Sequence, residues 1–84
     1  MGKYAVDIIS KAEKEFLKLP EVMRERIREK ILLLEDNPRP LGSKKLRDTE
    51  YYRIRIGDFR VLYRINYQES KIIILKIDKR ERVY

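Results

Sequence analysis

Two stretches of the chain alternate apolar and basic residues with a period of two, which predicts β-strands that bury one face. They are Tyr51–Ile56 and Phe59–Ile65. The two residues between them, Gly57 and Asp58, suit a tight hairpin turn, because glycine readily adopts the positive φ that such a turn requires. The resulting register forms three apolar pairs on one face: Ile56 with Phe59, Ile54 with Val61, and Tyr52 with Tyr63.

The opposite face of this hairpin carries arginines. The register sets Arg55 opposite Arg60 and places Arg53 diagonal to Arg60. Like charges in directly opposed positions destabilise a sheet. A solvated, charged surface that discourages aggregation is one explanation, but lysines mixed with glutamates would serve that purpose, and the hairpin has no acid on this face. We therefore favour an anion-binding site formed by these arginines.

The N-terminal half of the chain predicts one strand and two helices. Lys3–Ile9 is expected to be a strand, and Ser10 and Glu13 have the spacing of a capping box at the start of a helix. A second helix is expected to hold Pro20 in its first turn and to end at about Asp36. The positions expected to face the core are Ala12, Phe16 and Leu19 in the first helix, and Met23, Ile27, Ile31 and Leu34 in the second.

The segment from Asp36 to Asp48 is predicted to be a loop, since its prolines and Gly42 end the helix. Its basic residues serve either solubility or peripheral contacts to phosphates, and the sequence does not choose between these roles. They are Lys44, Lys45 and Arg47.

A last strand is predicted at Lys71–Ile77, whose almost continuous apolar run implies that it is covered on both sides. The predicted order is therefore β-α-α-β-β-β. This is an α+β fold in which two N-terminal helices pack on a small, mainly antiparallel sheet.

The composition narrows the classes of function. A chain of 84 residues fits one domain over residues 1–84, and almost all of its net charge of +7 comes from residues 43–84. This favours a polyanionic partner, with nucleic acid first and an acidic protein or an anionic membrane surface as alternatives. No apolar run is long enough to span a membrane and no signal peptide opens the sequence, so we expect a cytoplasmic protein. The lack of cysteine and histidine excludes disulfides, Cys or His metal ligands, and Ser-His or Cys-His nucleophiles.

The segment DKRERVY, from Asp78 to Tyr84, follows the last predicted strand and sets cations beside an aromatic residue. A frayed basic tail is one interpretation. The other is that Arg80 and Tyr84 reach the face of the hairpin arginines. There a guanidinium would bind phosphate and a flat ring would stack on an unpaired base, as in RNA recognition.

The hairpin YYRIRIGDFRVLYRI, the apolar strand after it and the terminal KRERVY resemble the RelE branch of the RelE/ParE toxin superfamily. The likeness extends over the β-α-α lead and the loop NPRP…KKLRD. It implies a RelE-like fold and a small toxin of a type II toxin–antitoxin pair. RelE members enter the ribosomal A site and cut mRNA there, without a metal or cofactor. The implied partners are a RelB-like antitoxin, expected to be acidic, the ribosome and mRNA, and operator DNA only through the antitoxin complex; no membrane contact is implied.

By position, the resemblance implies a catalytic set of Arg53, Arg55, Arg60, Arg80 and Tyr84. It also implies attack of an RNA 2′-OH on the adjacent phosphate, which leaves a 2′,3′-cyclic phosphate and a 5′-OH. Arg55 and Arg60 would hold the non-bridging oxygens, Arg80 would lie by the leaving oxygen, and Tyr84 would stack on a base. The residues expected to bind RNA or the ribosome are Lys44, Lys45, Arg47, Lys79 and Arg82.

The chain departs from the best-known RelE at the two strand positions, which are lysines there and of which one is assigned as the base. Here they are Arg53 and Arg55, and a guanidinium is a poor proton acceptor. Cleavage that relies on electrostatics and on groups of the ribosome, slower cleavage and loss of cleavage all stay open. Two rival functions are that of the ParE branch, which poisons DNA gyrase on the same fold, and a non-catalytic nucleic-acid-binding module. The complete basic set with Tyr84 favours the RelE branch.

Overall fold

In the computed structural model, which describes residues 3–79, two helices cover one face of a five-stranded sheet. The elements are β1 (Ala5–Ile8), α1 (Ser10–Leu17), α2 (Glu21–Leu34), β2 (Lys44–Lys45), β3 (Tyr51–Ile56), β4 (Phe59–Asn66) and β5 (Lys71–Lys79). The strands lie in the order β1-β5-β4-β3-β2, with β1 parallel to β5 and the other neighbours antiparallel. The predicted α+β class and mainly antiparallel sheet are confirmed, and the short strand β2 lies within the segment predicted to be a loop.

The hairpin of β3 and β4 has the predicted register. Its apolar pairs are Ile56–Phe59, Ile54–Val61 and Tyr52–Tyr63. Gly57 begins the turn with a φ of 60°, in the left-handed region that glycine enters without a steric penalty. Because a two-residue turn leaves no slack between the strands, this glycine fixes which side chains of the hairpin share a face.

The core lies between the helices and the apolar face of the hairpin. Its buried side chains form one cluster: Ala12, Ile27, Leu34, Ile54, Ile56, Val61, Tyr63, Ile72, Ile74 and Ile77. The other predicted helix positions pack at its border: Phe16, Leu19, Met23 and Ile31. The apolar faces predicted for both helices are therefore confirmed. The side of the sheet turned away from the helices is called the open face below.

Both helices begin at other residues than predicted. The amide of Ile9 still donates to β5, at 3.1 Å from the carbonyl oxygen of Ile74, so the extended backbone continues through Ile9 and α1 begins at Ser10. The predicted capping box is wrong, because Ile9 is the N-cap and makes no side-chain cap hydrogen bond. The amide of Glu13 instead donates to the carbonyl of Ile9, at 2.9 Å. Pro20 likewise is the N-cap of α2 and not a residue of its first turn.

Strand β5 contains a bulge. Its pairing with β4 is interrupted between Leu62 and Tyr63, which oppose Lys76 and Ile74 respectively. Leu75 is therefore an extra residue in β5 and has no partner across the ladder. A single inserted residue exchanges the two faces of a strand, so β5 changes its alternation at this point.

The side chains of β5 show that the helices cover one face of the sheet. Ile72, Ile74 and Ile77 are buried, whereas Ile73 and Leu75 are partly exposed. The prediction of a strand covered on both sides is wrong for this reason. The apolar run arises from a buried face and from the partly exposed residues that alternate with it before the bulge.

Candidate active site

The bulge at Leu75 brings a carboxylate to the open face. Regular pairing continued through this point would set Ile77 opposite Arg60. The inserted residue shifts the ladder by one, and Asp78 lies opposite Arg60 instead. Lys76 precedes Asp78 by two residues and so shares its face. Strand β5 therefore adds a cation and an anion to the face that carries the hairpin arginines.

A groove of about 800 Å³ lies on the open face, between the sheet and the segment from Lys44 to Arg47. We call it the basic groove. Its described lining consists of Arg53, Arg60, Leu62, Lys76 and Asp78 from the sheet, and of Lys44, Lys45, Leu46 and Arg47 from the segment. Clefts lined by charges of one sign concentrate ions of the opposite sign. With Asp78 as the one carboxylate among its described lining residues, the groove favours an anion.

Two cations of the basic groove share the carboxylate of Asp78. Nε of Arg60 donates a hydrogen bond to Oδ1 of Asp78 at 3.2 Å, and Nζ of Lys76 lies 3.4 Å from Oδ2. The side chain of Asp78 is 29% exposed, so each pair contributes only about 0–1 kcal/mol to stability. The expectation that no acid lies on this face rested on the hairpin alone. It is wrong for the whole sheet, because strand β5, which pairs with the hairpin, supplies the carboxylate of Asp78.

Arg55 does not line the basic groove. Its backbone opposes Arg60 as predicted, so the two side chains leave the same face of the sheet. Arg55 is exposed and is a lining residue of two other cavities, both of which also include Lys30 of α2. Strand β2 pairs with β3 no further towards the turn than Arg53, so Arg55 lies on a part of the β3 edge that β2 does not cover. The structure therefore brings Arg53 and Arg60 into one groove and leaves Arg55 outside it.

The basic segment is fixed against the sheet by backbone pairing. Lys44 opposes Arg53 across β2 and β3. The amide of Leu46 donates to the carbonyl oxygen of Tyr51 at 2.9 Å. The prediction left open whether Lys44, Lys45 and Arg47 serve solubility or a site, and the structure sets all three along the basic groove.

A buried tyrosine holds the loop that leads into the basic segment. Tyr63 is fully buried, and its hydroxyl donates to the carbonyl oxygen of Pro38 at 2.7 Å. Its ring stacks on that of Tyr52, with centroids 5.9 Å apart. Burial raises the pKa of Tyr63 to about 12, against the opposing influence of Ser43 and Arg39. The hydroxyl is therefore a donor throughout the neutral pH range.

Sequence reasoning missed the two charged groove residues of β5, Lys76 and Asp78, and the apolar lining residues Leu46 and Leu62. The signal available was the break in the apolar run, where LKIDK alternates apolar and charged residues. That alternation indicates a strand with one polar face. The face to which it points depends on the bulge, which the sequence does not show.

The remaining predicted site residues lie at or beyond the end of β5. Lys79 is exposed and does not line the basic groove. Arg80, Arg82 and Tyr84 lie outside the described residues. Within residues 3–79, no group of three or more His, Cys, Asp or Glu side chains could hold a metal ion. No helix in the same range is long and apolar enough to cross a membrane.

Comparison with protein families matches residues 6–84 to the model for the ParE toxin of the type II toxin–antitoxin system parDE. The curated relatives of the chain include proteins named RelE. The putative toxin RelE1 of Methanocaldococcus jannaschii is 37% identical over 98% of this chain and 96% of its own length. The mRNA interferase toxin RelE of Escherichia coli is 28% identical over 94% of this chain and 85% of its own length.

Solved structures share the fold. The archaeal RelE–RelB complex from Pyrococcus horikoshii contains a chain that superposes with a TM-score of 0.86 at 34% identity, covering 96% of this chain and 99% of that one. The isolated Escherichia coli RelE toxin superposes with a TM-score of 0.85 at 26% identity, covering 95% and 87% of the two chains. The arrangement of two helices on a five-stranded mixed sheet is thus that of RelE structures.

Proposed function

We propose that this chain, which belongs to the ParE-toxin family of type II toxin–antitoxin systems within the RelE/ParE superfamily, is a ribosome-dependent endoribonuclease of the RelE type. Its substrate would be mRNA in the ribosomal A site. The observation that carries the proposal is the basic groove, in which Arg53, Arg60 and Lys76 converge with the segment from Lys44 to Arg47. Relatives over nearly the whole chain that are named RelE support the same branch.

The proposed reaction uses a nucleophile that belongs to the RNA. The 2′-oxygen attacks the adjacent phosphorus and loses its proton, the bond to the 5′-oxygen breaks, and that oxygen takes up a proton. The products are a 2′,3′-cyclic phosphate and a 5′-OH. The protein then has two tasks, to align the 2′-oxygen with the bond that breaks and to stabilise the charge that develops on the phosphorane.

Guanidinium groups suit the second task, because their planar array of N–H donors matches phosphate oxygens. In the proposal Arg53 and Arg60 bind the non-bridging oxygens of the scissile phosphate. The basic segment binds neighbouring phosphates through Lys44, Lys45 and Arg47. Arg55 does not line the groove. We propose that it binds a phosphate beside the scissile one, in place of the non-bridging oxygen that the resemblance implies.

The C-terminal residues complete the proposed site. Arg80 would stabilise the leaving 5′-oxygen and Tyr84 would stack on a base. Lys79 and Arg82 would bind RNA or the ribosome. These four roles rest on the resemblance in KRERVY and on the direction of β5, whose last described residue, Lys79, opposes Phe59 beside the hairpin turn.

The proposed partners follow from the same family. Solved neighbours of the chain include RelE–RelB complexes, and we propose an antitoxin of that kind for this chain. Its contact surface would be acidic where it meets the basic groove, because the groove is cationic. Operator DNA would be bound only through the antitoxin complex. Action on ribosomes would place the protein in the cytoplasm.

Gyrase poisoning is the second candidate, since the matching family model is described as ParE toxin. The basic groove favours cleavage of RNA, because phosphorane stabilisation requires convergent cations and gyrase poisoning does not. A non-catalytic nucleic-acid-binding module would use the same groove without the alignment of a reacting phosphate.

Primer-extension mapping of mRNA in a translating extract tests the proposal. We expect discrete cuts within A-site codons. Arg60→Ala should lower the cleavage rate about a hundredfold, the usual loss when one donor to a developing oxyanion is removed, and should change ribosome affinity much less. The matched control is Arg64→Ala, since Arg64 lies on the same strand and face but outside the groove lining. Double-strand DNA breaks without mRNA cuts, or binding without either, would refute the proposed activity.

A further inference from the structure

We infer that Asp78 is a positioning residue that orients the guanidinium of Arg60 in the basic groove, and that it does so at the expense of affinity for the RNA anion. The inference rests on the proposed function for its catalytic readout. Its structural and binding readouts do not depend on that function.

The geometry of the pair is that of an orienting contact. Asp78 and Arg60 are directly opposed across β4 and β5, so both side chains leave the same face of the sheet. The contact is made through Nε of Arg60, at 3.2 Å from Oδ1. Nε lies where the rigid guanidinium joins the flexible part of the side chain, so a bond there sets the direction of the whole plane.

The second oxygen of the carboxylate is held as well. Nζ of Lys76 lies 3.4 Å from Oδ2 of Asp78, and the two residues share a face of β5. The carboxylate is thus fixed between two cations on its own strand and the next. An orienting role requires an acceptor that is itself held in place, because a guanidinium bonded to a mobile carboxylate would move with it.

The negative charge of Asp78 weakens the attraction of the basic groove for anions. Every other charged side chain in the described lining is a cation, and a carboxylate there repels an incoming phosphate. The bulge at Leu75 nevertheless turns Asp78 into the groove instead of towards the core. The two possible roles of Asp78 therefore predict opposite effects when its charge is removed. If Asp78 only repels phosphate, cleavage should become faster; if it orients Arg60, cleavage should become slower.

The decisive variant is Asp78→Asn, which removes the charge and keeps the shape. The matched control is Asp7→Asn. Asp7 also lies on the sheet beside a lysine, 3.8 Å from Nζ of Lys71, but on β1 and outside the groove lining. Both variants change the net charge by the same amount. Affinity is measured by titrating the protein with a single-stranded oligonucleotide that carries a 2′-deoxy sugar at the scissile position and so cannot be cleaved.

The expected result is a split between binding and rate. Asp78→Asn should bind the oligonucleotide about threefold more tightly, because one repulsive charge is gone, and should cleave ribosome-bound mRNA about tenfold more slowly at saturating toxin. Asp7→Asn should change neither quantity beyond about twofold. In an Arg60→Lys background, which lacks Nε, Asp78→Asn should cause no further loss of rate. A rate that rises together with affinity, or that stays unchanged, would overturn the inference.

A direct readout separates this inference from the proposed function. In NMR spectra, the Nε–H proton of Arg60 should exchange with solvent more slowly in the wild-type protein than in Asp78→Ala. Equal exchange in the two proteins would overturn the orienting role even if the wild-type toxin cuts mRNA. If the toxin does not cut mRNA at all, slower exchange in the wild-type protein than in Asp78→Ala, together with tighter binding by Asp78→Asn, would still support the role in orienting Arg60.

Discussion

The hydroxyl of Tyr63 donates a 2.7 Å hydrogen bond to the carbonyl oxygen of Pro38, 25 residues earlier in the chain. The donor is fully buried in β4 and the acceptor lies at the start of the segment that carries Lys44 and Lys45. One bond therefore connects the core of the sheet with the loop that leads into the basic segment.

Removal of this hydroxyl should destabilise the protein. Tyr63→Phe leaves the Pro38 carbonyl without that donor, which should lower the free energy of unfolding by about 1–3 kcal/mol. Urea denaturation of the two proteins measures the difference. Tyr51→Phe is the matched control, since the Tyr51 side chain is exposed on the neighbouring strand. An equal effect of both changes would show that the bond to Pro38 adds nothing to stability.

Alkaline pH should weaken the fold through the same tyrosine. Burial raises the pKa of Tyr63 from its ordinary value of 10.0 to about 12, so ionisation is easier in the unfolded chain. The contribution of the neutral Tyr63 hydroxyl to the free energy of unfolding is fully present below pH 10 and is lost as the pH rises through 12. The free energy of unfolding falls there by up to about 1.4 kcal/mol per pH unit. Denaturation between pH 9 and pH 11.5 should show a steeper loss in the wild-type protein than in Tyr63→Phe. If the free energy of unfolding fell equally with pH in both proteins, Tyr63 would not be the source of the alkaline loss.

The structure predicts the direction in which Arg60→Ala changes the stability of the protein. Considered alone, the hairpin would give Arg60→Ala an unchanged or slightly raised stability, because Arg55 and Arg60 repel each other. With Asp78 as a partner at 3.2 Å, the substitution should instead cost up to about 1 kcal/mol, since the pair is partly exposed. Thermal unfolding at low and high salt measures this, with Arg64→Ala as the comparison. A higher melting temperature for Arg60→Ala would mean that repulsion outweighs the bridge.

Deletion of Tyr84 should lower activity on the proposed function. Loss of a base-stacking ring costs about 1–3 kcal/mol, which is about one to two decades in rate if the contact is made mainly in the transition state. Tyr84→Phe should keep most of the activity, because the ring does the stacking. Cleavage by the three proteins in a translating extract tests this. A Phe variant as poor as the deletion would assign the hydroxyl to proton or phosphate chemistry.

The complex with the proposed antitoxin should be sensitive to salt. Charges that attract across an interface are screened as the Debye length falls from about 10 Å at 0.1 M to about 3 Å at 1 M salt, so we expect an affinity loss of about tenfold or more. Calorimetric titration at the two salt concentrations measures it. A salt-insensitive complex would indicate that the antitoxin binds the apolar surface of the helices instead.

The parts of the fold that the sequence predicts are those set by local rules. A two-residue turn at Gly57 leaves one register for the hairpin, so the pair of Ile54 and Val61 and the face of Arg53 and Arg60 follow directly. The apolar stripe through Ile27 follows in the same way from helical periodicity.

The parts that the sequence does not predict depend on contacts between distant residues. The carboxylate of Glu15 in α1 accepts a hydrogen bond from the amide of Ile77, 62 residues away, and no local pattern indicates it. The position of Asp78 in the groove depends on a bulge in β5, which no local pattern indicates either. The bulge changes the composition of the site without changing the fold.

The parallel pairing of β1 with β5 joins the first and last strands of the described chain, with Ala5 opposite Lys71. Such a pair closes a long loop and forms late, because the entropy of closure must be overcome before any contact is gained. During synthesis α1 and α2 emerge long before β5, the strand that carries Lys76 and Asp78. On the proposed function, the growing chain lacks Lys76 and Asp78 of the basic groove until β5 has been made, and we expect toxicity only after this strand has joined the sheet.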